Sequence, residues 1–481
     1  MGLRAGLVRL AAGGEVPVFS VAGLGGRVVV EELGAVPGIE VVDHPRAAAL
    51  LVVVGRVPPG LLGPVLAVHD QLPSPRASVW WPVGADGGVP GPALAAALPG
   101  LVVGRSGDVN GLRRLFADML DGGHPTDPAA LGDIDPAPWR GVGPYGHGGT
   151  GMTGGVPYGR PMAGRAPDRD RLELDQLPLR FGPLFPPFPP GLVLELLLQG
   201  DVVQQASVGD NRFRTEAGTP VSTTLDTDLF LGALDHPVLV SDLELARARH
   251  HLRWLARVLR LHGLSGRAWR TLALARCLTA ADAAAVTALT RTVGRSRSMA
   301  SALRGQGVLE DPGTVTGGPV ARAGGEPADA RSGDDSYRGL GFEPVTHPAG
   351  DAWDRLRQRL GEAAQAMALV ERAGDRVRAP GPPVEGPRGL IAAGLRPPSS
   401  SLLELLPDLL AGQEWGDAVN IVASLDLDLE EAAQDGSPGL AGATTPGAGF
   451  AWRPGMSPDG GPQGSRPGVT RSPVAPTENE P

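Results

Sequence analysis

The chain has 481 residues, and its 71 glycines and 49 prolines make up about a quarter of it, beside 42% hydrophobic and only 4% aromatic residues. That length accommodates two or three domains, and the composition calls for ordered domains joined by unstructured connectors, which excludes both a wholly disordered and a wholly compact chain. A net charge of −9 with arginine and acid interspersed excludes a broad basic face for nucleic acid, and the single cysteine, Cys277, excludes a disulfide framework, a multi-cysteine zinc site and an iron-sulfur cluster held by this chain's own thiolates.

Residues 1–121 read as α/β. Short valine-rich runs at Val28 to Glu32, Ile39 to Val42, Ala48 to Val54 and Leu101 to Val103 have the look of buried parallel strands. Helix spacing is present at Pro59 to His69 and at Asn110 to Leu120, where Leu112, Leu115, Phe116 and Met119 form one stripe, opened by Asp108 or Asn110 and closed by Gly122 and Gly123. This alternation predicts a small doubly wound sheet. Residues 122–170 are rich in Gly, Pro, Asp and His without periodicity and read as a linker.

Residues 171–433 read as a mainly helical domain with a small β-hairpin region. Strands are expected from Arg171 to Ser207, with Gly191 to Leu198 and Asp201 to Ala206 turning at Gln199-Gly200. Leu243 to Leu261 is the strongest helix, with Leu245, Leu252, Leu255, Val258 and Leu259 on one side and Arg247, Arg249, Arg253, Arg257 and Arg260 mostly on the other. Further helices are expected at Trp269 to Leu278, Ala280 to Val293, Trp353 to Ala373, Leu402 to Leu410 and Trp415 to Glu431. A loop insertion spans 305–351, and residues 434–481 form a disordered tail. The apolar runs, such as Leu192 to Leu198, fall far short of the roughly 20 residues of a membrane span, and no signal segment opens the chain. The protein is expected to be cytoplasmic, or peripheral on the inner face of the cell membrane.

Motifs that could carry chemistry each have a plainer reading. The glycine strings at Gly23-Leu24-Gly25-Gly26 and His147 to Gly155 lack the lysine of a P-loop, since the chain has none, and the first leads into the presumed strand at Val28, so both read as turns. His250 and His251, adjacent on one helix, point to different faces and read as solvated or core-edge histidines. The run Asp168-Arg169-Asp170-Arg171 reads as solvated charge, and Cys277 between Leu274 and Leu278 as an inert core thiol. No residue is assigned a catalytic or metal-binding role, and no cofactor is assigned.

One pattern is more specific. Arg46 to Gly55, then Pro64-Val65-Leu66 and His69-Asp70-Gln71-Leu72-Pro73-Ser74-Pro75-Arg76, resemble the cluster-bearing small (B-type) subunit of respiratory complex I and its group 4 [NiFe]-hydrogenase relatives. Further on, Gly182-Pro183, Leu192 to Glu195, Gly200 to Val203, Arg249 to Leu255, Gly307-Val308-Leu309, Gly317 to Ala323, Tyr337, Gly350 to Arg355, Glu385 to Gly389, Leu406-Pro407-Asp408, Asp417-Ala418-Val419 and Ser424-Leu425-Asp426 resemble, in order, the D-type subunit, kin of the hydrogenase large subunit.

The resemblance implies a flavodoxin-like N-terminal domain followed by a hydrogenase-large-subunit-like domain. The family's cluster cysteines would fall near Gly23 to Gly26, Gly84 to Gly88 and Gly104 to Asp108, and none is present. Where its first hairpin holds a quinone-contacting histidine, this chain has Phe185-Pro186-Pro187-Phe188-Pro189-Pro190-Gly191, which cannot donate a proton. The quinone tyrosine and the nickel-binding cysteines are missing as well. The chain resembles NADH-quinone oxidoreductase subunits without their redox ligands. This implies a natural fusion acting as a non-redox accessory or assembly component, with partner subunits of a complex I-like or hydrogenase-like membrane assembly. The alternative is a small-molecule (quinone or nucleotide) binding protein whose redox chemistry a partner supplies, with Gly-rich residues 145–160, His147 and two tyrosines lining a cleft.

Overall fold

A strand that the patterning above passes over, β1 (Val16–Ala22), lies inside the N-terminal sheet. It pairs in parallel with β2 (Ile39–Val41) on one side and β3 (Leu50–Val54) on the other, and β4 (Ala77–Trp81) and β5 (Val102–Val103) extend the sheet to the order β2-β1-β3-β4-β5, parallel throughout. The computed structural model describes residues 13–83, 89–132, 163–167, 172–214, 225–315, 317–392 and 394–433, all within one compact unit.

Both faces of this sheet are covered. Val16, Val18, Leu50, Val52 and Val54 pack with Leu33 of α1 (Arg27–Leu33) and with Leu112, Phe116 and Met119 of α4 (Val109–Asp121). The alternate residues Phe19, Val21, Leu51 and Val53 pack with Val65 and Leu66 of α2 (Pro59–Gln71) and Leu94 of α3 (Pro92–Ala97). Double coverage explains why β3 is an unbroken apolar run. The cap expected of α4 is formed by Asp108, which accepts a hydrogen bond from the Gly111 N–H at 2.8 Å, and Gly122 closes the helix at φ +76°.

The strand expected at Val28 to Glu32 is instead α1. A parallel β1–β2 pair needs a crossover between its strands, and burying Val28 and Leu33 on the sheet outweighs the reluctance of three consecutive valines to be helical.

The second sheet is antiparallel, in the order β6 (Gly164–Pro167), β7 (Glu173–Phe181), β8 (Leu194–Gln199), β9 (Val202–Val208), with Gly200 at φ +62° in the expected hairpin turn. Leu194, Leu196, Leu198 and Val203 pack beneath α12 (Pro398–Leu410) and α13 (Trp415–Leu425). The 22-residue helices α6 (Val240–Leu261) and α11 (Ala352–Ala373) form the axis of the helical region, joining Ala248 and Leu252 to Ala363, Ala366 and Met367. Around them lie α5 (Leu225–Asp235), α7 (Ser265–Arg276), α8 (Ala283–Gly294) and α9 (Arg297–Leu303).

The helix expected from Trp415 to Glu431 is two helices. Asp426 adopts φ +57°, which ends α13, and α14 (Leu429–Ala433) follows. The described residues of 305–351 are irregular apart from α10 (Gly318–Arg322) and short turns, yet Arg322, Arg331 and Tyr337 among them are buried. Most of the expected linker, with His147, the cleft segment 145–160 and the Asp168 to Arg171 run, and the expected tail 434–481 lie outside the described residues. Among the described residues no helix is long and apolar enough to cross a membrane.

Candidate functional site

Because residues 27–33 are helical, Gly23 to Gly26 form a strand–turn–helix connection, contrary to the reading of that string as a lead into a strand. It stands beside Gly55 at the end of β3. In a doubly wound sheet, the crevice between two such loops, where the strand order reverses, is the usual ligand position. Here the glycines are required by the packing of the loops on each other. A Cβ on Gly26 would lie 2.2 Å from the Val54 carbonyl oxygen, and one on Gly23 would lie 2.6 Å from that of Arg56. The crevice is closed by the chain's own residues. Leu24 joins the apolar cluster of Leu192, Leu427 and Leu429, and the Gly25 N–H donates to Glu430 Oε2 at 2.8 Å.

Behind this loop lies a buried charge lattice. Its hub is Asp426, whose carboxylate accepts from His250 Nε2 (2.7 Å), Arg257 Nη2 (2.6 Å) and Arg27 Nη2 (3.3 Å) and lies 3.3 Å from Arg359 Nη1. Arg388 donates to the Asp426 carbonyl at 3.2 Å and pairs with Asp428 at 3.0 Å. Burial would raise the Asp426 carboxyl, but His250, Arg359 and Arg388 outweigh it and hold it well below the ordinary range.

A second cluster continues from His251, which lies 3.3 Å from Glu362 Oε2. Glu362 pairs with Arg322 at 2.9 Å, and Arg322 also reaches Glu385 (2.8 Å) and Asp329 (3.0 Å). Arg331 joins Asp329 (2.8 Å) to Glu244 (3.2 Å), which accepts from the Tyr337 hydroxyl at 2.7 Å. Burial lowers the His251 imidazole to about 4, so it is neutral near pH 7.

The sequence-selected residues are therefore redistributed. His250 and His251 do point to different partners, but they are only 2% and 1% exposed, neither solvated nor at the core edge. On the arginine side of α6, Arg253 pairs with Glu32 of α1 at 2.7 Å, Arg257 with Glu31 of α1, and Arg260 with Asp43 at 2.8 Å, while Arg247 donates to the Gly386 and Glu385 carbonyls (2.9 and 2.6 Å) and Arg249 to the Leu278 carbonyl (2.8 Å). Cys277 is exposed rather than a core thiol, because α7 ends at Arg276 and it is Leu278 that turns inward. The proline-rich loop packs: Phe185 and Phe188 meet edge to face at 5.0 Å, and Trp415 stacks on Phe181 at 4.2 Å. The lattice acids Asp428, Glu430 and Glu362 were not selected from sequence, and Glu385 was selected only as part of the motif Glu385 to Gly389. Their one local signal is the density of acid in Asp426-Leu427-Asp428-Leu429-Glu430-Glu431 between apolar helices.

The donor set does not fit an iron-sulfur cluster. The described positions near Gly23 to Gly26 and Gly104 to Asp108 offer no thiolate, Cys277 is the chain's only thiol, and no group of three or more His, Cys, Asp or Glu among the described residues is placed to hold a metal. The recess of about 490 Å³ lined by Gly13, Gly14, Glu15, Gly38 and Arg113 lies toward the start of β1, away from the lattice. What this arrangement does chemically is neutralise charge and fix the sheet against the helices.

Residues 284–390 match the family described as the respiratory-chain NADH dehydrogenase 49 Kd subunit, the D-type part of the resemblance. No curated protein sequence matches the chain. Among solved structures, a chain of the membrane-bound sulfane sulfur reductase (MBS), an archaeal respiratory membrane complex, aligns at 19% identity over 54% of this chain and 99% of that chain, with a TM-score of 0.40. The segment 284–390, which contains α11 and the buried arginines 322 and 331, is thus similar to the large subunit of complex I.

Proposed function

We propose that the chain is a non-redox component of a complex I-like or hydrogenase-like membrane assembly, in which an arginine–carboxylate lattice fixes a B-like module on a D-like module. The match of residues 284–390 to the 49 Kd subunit carries this reading. The strand order β2-β1-β3-β4-β5 with helices on both faces supports the flavodoxin-like, B-type half, since it is one of the two common doubly wound orders. Loss of redox function is supported by the lack of a thiolate at Gly23 to Gly26 and by the aromatic packing of Phe185 and Phe188, whose side chains can neither ligate iron nor protonate a quinone. The fusion would then contribute an interface and attachment points, and electrons would pass through other subunits.

Iron analysis and electron paramagnetic resonance on the purified chain test the non-redox part. Iron far below one atom per chain and no signal on reduction are expected. Stoichiometric iron with a cluster signal would overturn it.

A further inference from the structure

Charge is interspersed along most of the chain, but not from Gly263 to Arg304. That stretch holds seven arginines and one acid, Asp282, a local charge of +6 in a chain of −9. Asp282 is itself committed to a capping box with Thr279.

The fold gathers five of these arginines at one end of a helix pair. Ala268, near the start of α7, shares an apolar cluster with Val293 at the end of α8 and with Met299 and Ala300 of α9. Ala275 and Leu278, at the other end of α7, share a second cluster with Val286, near the start of α8. The two helices are therefore antiparallel, and Arg267 and Arg270 come beside Arg291, Arg295 and Arg297. All five are exposed. Arg270 donates to the Gly266 carbonyl of its own helix at 3.1 Å, and among the described residues none of the five has an acid within ion-pair distance. Arg276 lies apart, 4.0 Å from Glu32, and Arg304 lies over the Trp353 ring. No acid occupies the first turn of α7 or of α9, so Arg267 and Arg297 stand at positive helix ends, where an acid would be stabilising. Like charges gathered without counter-charge repel one another, and an anionic partner relieves that repulsion.

The chain's own remaining segments do not supply the counter-charge: residues 434–481 carry four acids against three arginines. Trp269 stands among the arginines, 46% exposed. The cores of protein–protein interfaces are depleted of charge, which disfavours a folded partner seated on five uncompensated cations. An exposed indole flanked by arginines instead matches the boundary of a lipid layer, where the ring enters between headgroups and the guanidinium groups reach the phosphates. We propose that this end of α7, α8 and α9 docks on an anionic phospholipid surface, with Trp269 inserted and Arg267, Arg270, Arg291, Arg295 and Arg297 on the headgroups. The inference does not depend on the complex I reading, because the contact is made by this chain alone.

Co-sedimentation of the full chain with vesicles tests this. Binding to mixed phosphatidylglycerol and phosphatidylcholine vesicles is expected at low salt, with little to phosphatidylcholine alone and release at high salt. The triple variant Arg291→Gln, Arg295→Gln, Arg297→Gln should bind the anionic vesicles about a hundredfold less, about fivefold for each arginine, with the urea midpoint of the parent. The same charge change in Arg46→Gln, Arg105→Gln, Arg114→Gln, at exposed positions elsewhere, should leave binding close to that of the parent. Tryptophan emission should shift to the blue on binding, and Trp269→Phe should abolish the shift. No binding to the anionic vesicles, an equal loss in both triple variants, or a shift that persists in Trp269→Phe would overturn the proposal. So would an RNA oligonucleotide or a second copy of the chain held by these arginines in place of the vesicles.

Discussion

Asp426 faces Arg27, Arg257, Arg359, Arg388 and His250, and this convergence decides what a substitution there does. Removing one member of a buried ionic group leaves the others uncompensated, so Asp426→Asn should cost about 3–5 kcal/mol, read as a shift in the urea midpoint. An unchanged midpoint would mean that the lattice does not stabilise the fold. His251 gives a pH dependence of known sign. Its folded value, about 4, lies below its ordinary 6.5, so the unfolded chain takes up a proton first and stability falls as pH drops from 6.5 toward 4. The expected loss is about 3 kcal/mol. His251→Gln should lose correspondingly less than the parent between pH 7 and pH 4 in urea titrations. Adjacent histidines are visible in the sequence, but their partners are not: His250 meets an aspartate 176 residues away, a pairing that only the folded topology brings together.

At the level of elements, legibility followed amphipathic spacing. The helix α4 was readable because it buries one apolar stripe, α6 and α11 because apolar residues recur at helical spacing even though their polar sides are buried too, and the α4 cap because Asp108 and Gly122 are capping residues in capping places. The strand β1 and the helix α1 were not, because β-branched residues occur in both and only the parallel pairing of β1 with β2 and β3 decides between them. Two substitutions test the elements. Gly26→Ala must move the backbone of β3 or of the loop, since its Cβ would sit 2.2 Å from the Val54 carbonyl oxygen, and about 3 kcal/mol of destabilisation is expected in thermal unfolding. Gly122→Ala, at φ +76° with nothing within 4 Å, should cost only about 1 kcal/mol by the same measurement. A reversed order would contradict the tight packing of the Gly23 to Gly26 loop on β3.

For the whole molecule, the decisive feature is that the sheet and the helices are joined by charge as much as by apolar contact. The α6 arginines 253, 257 and 260 meet Glu32, Glu31 and Asp43 of the N-terminal region, and Glu430 reaches back to Gly25. The absence of cluster thiolates was legible from the single cysteine, and the family resemblance of the helical half from the order of its motifs. The lattice occupying the space between the halves was not, because its acids and arginines lie scattered along the chain. The central claim, that this fused interface works as a component of a larger membrane assembly, is tested most directly by purifying the tagged full-length chain from membranes and identifying what accompanies it. The account predicts stoichiometric recovery of complex I-like or antiporter-like subunits with no iron assignable to this chain, and a solitary protein recovered from the soluble fraction would contradict it.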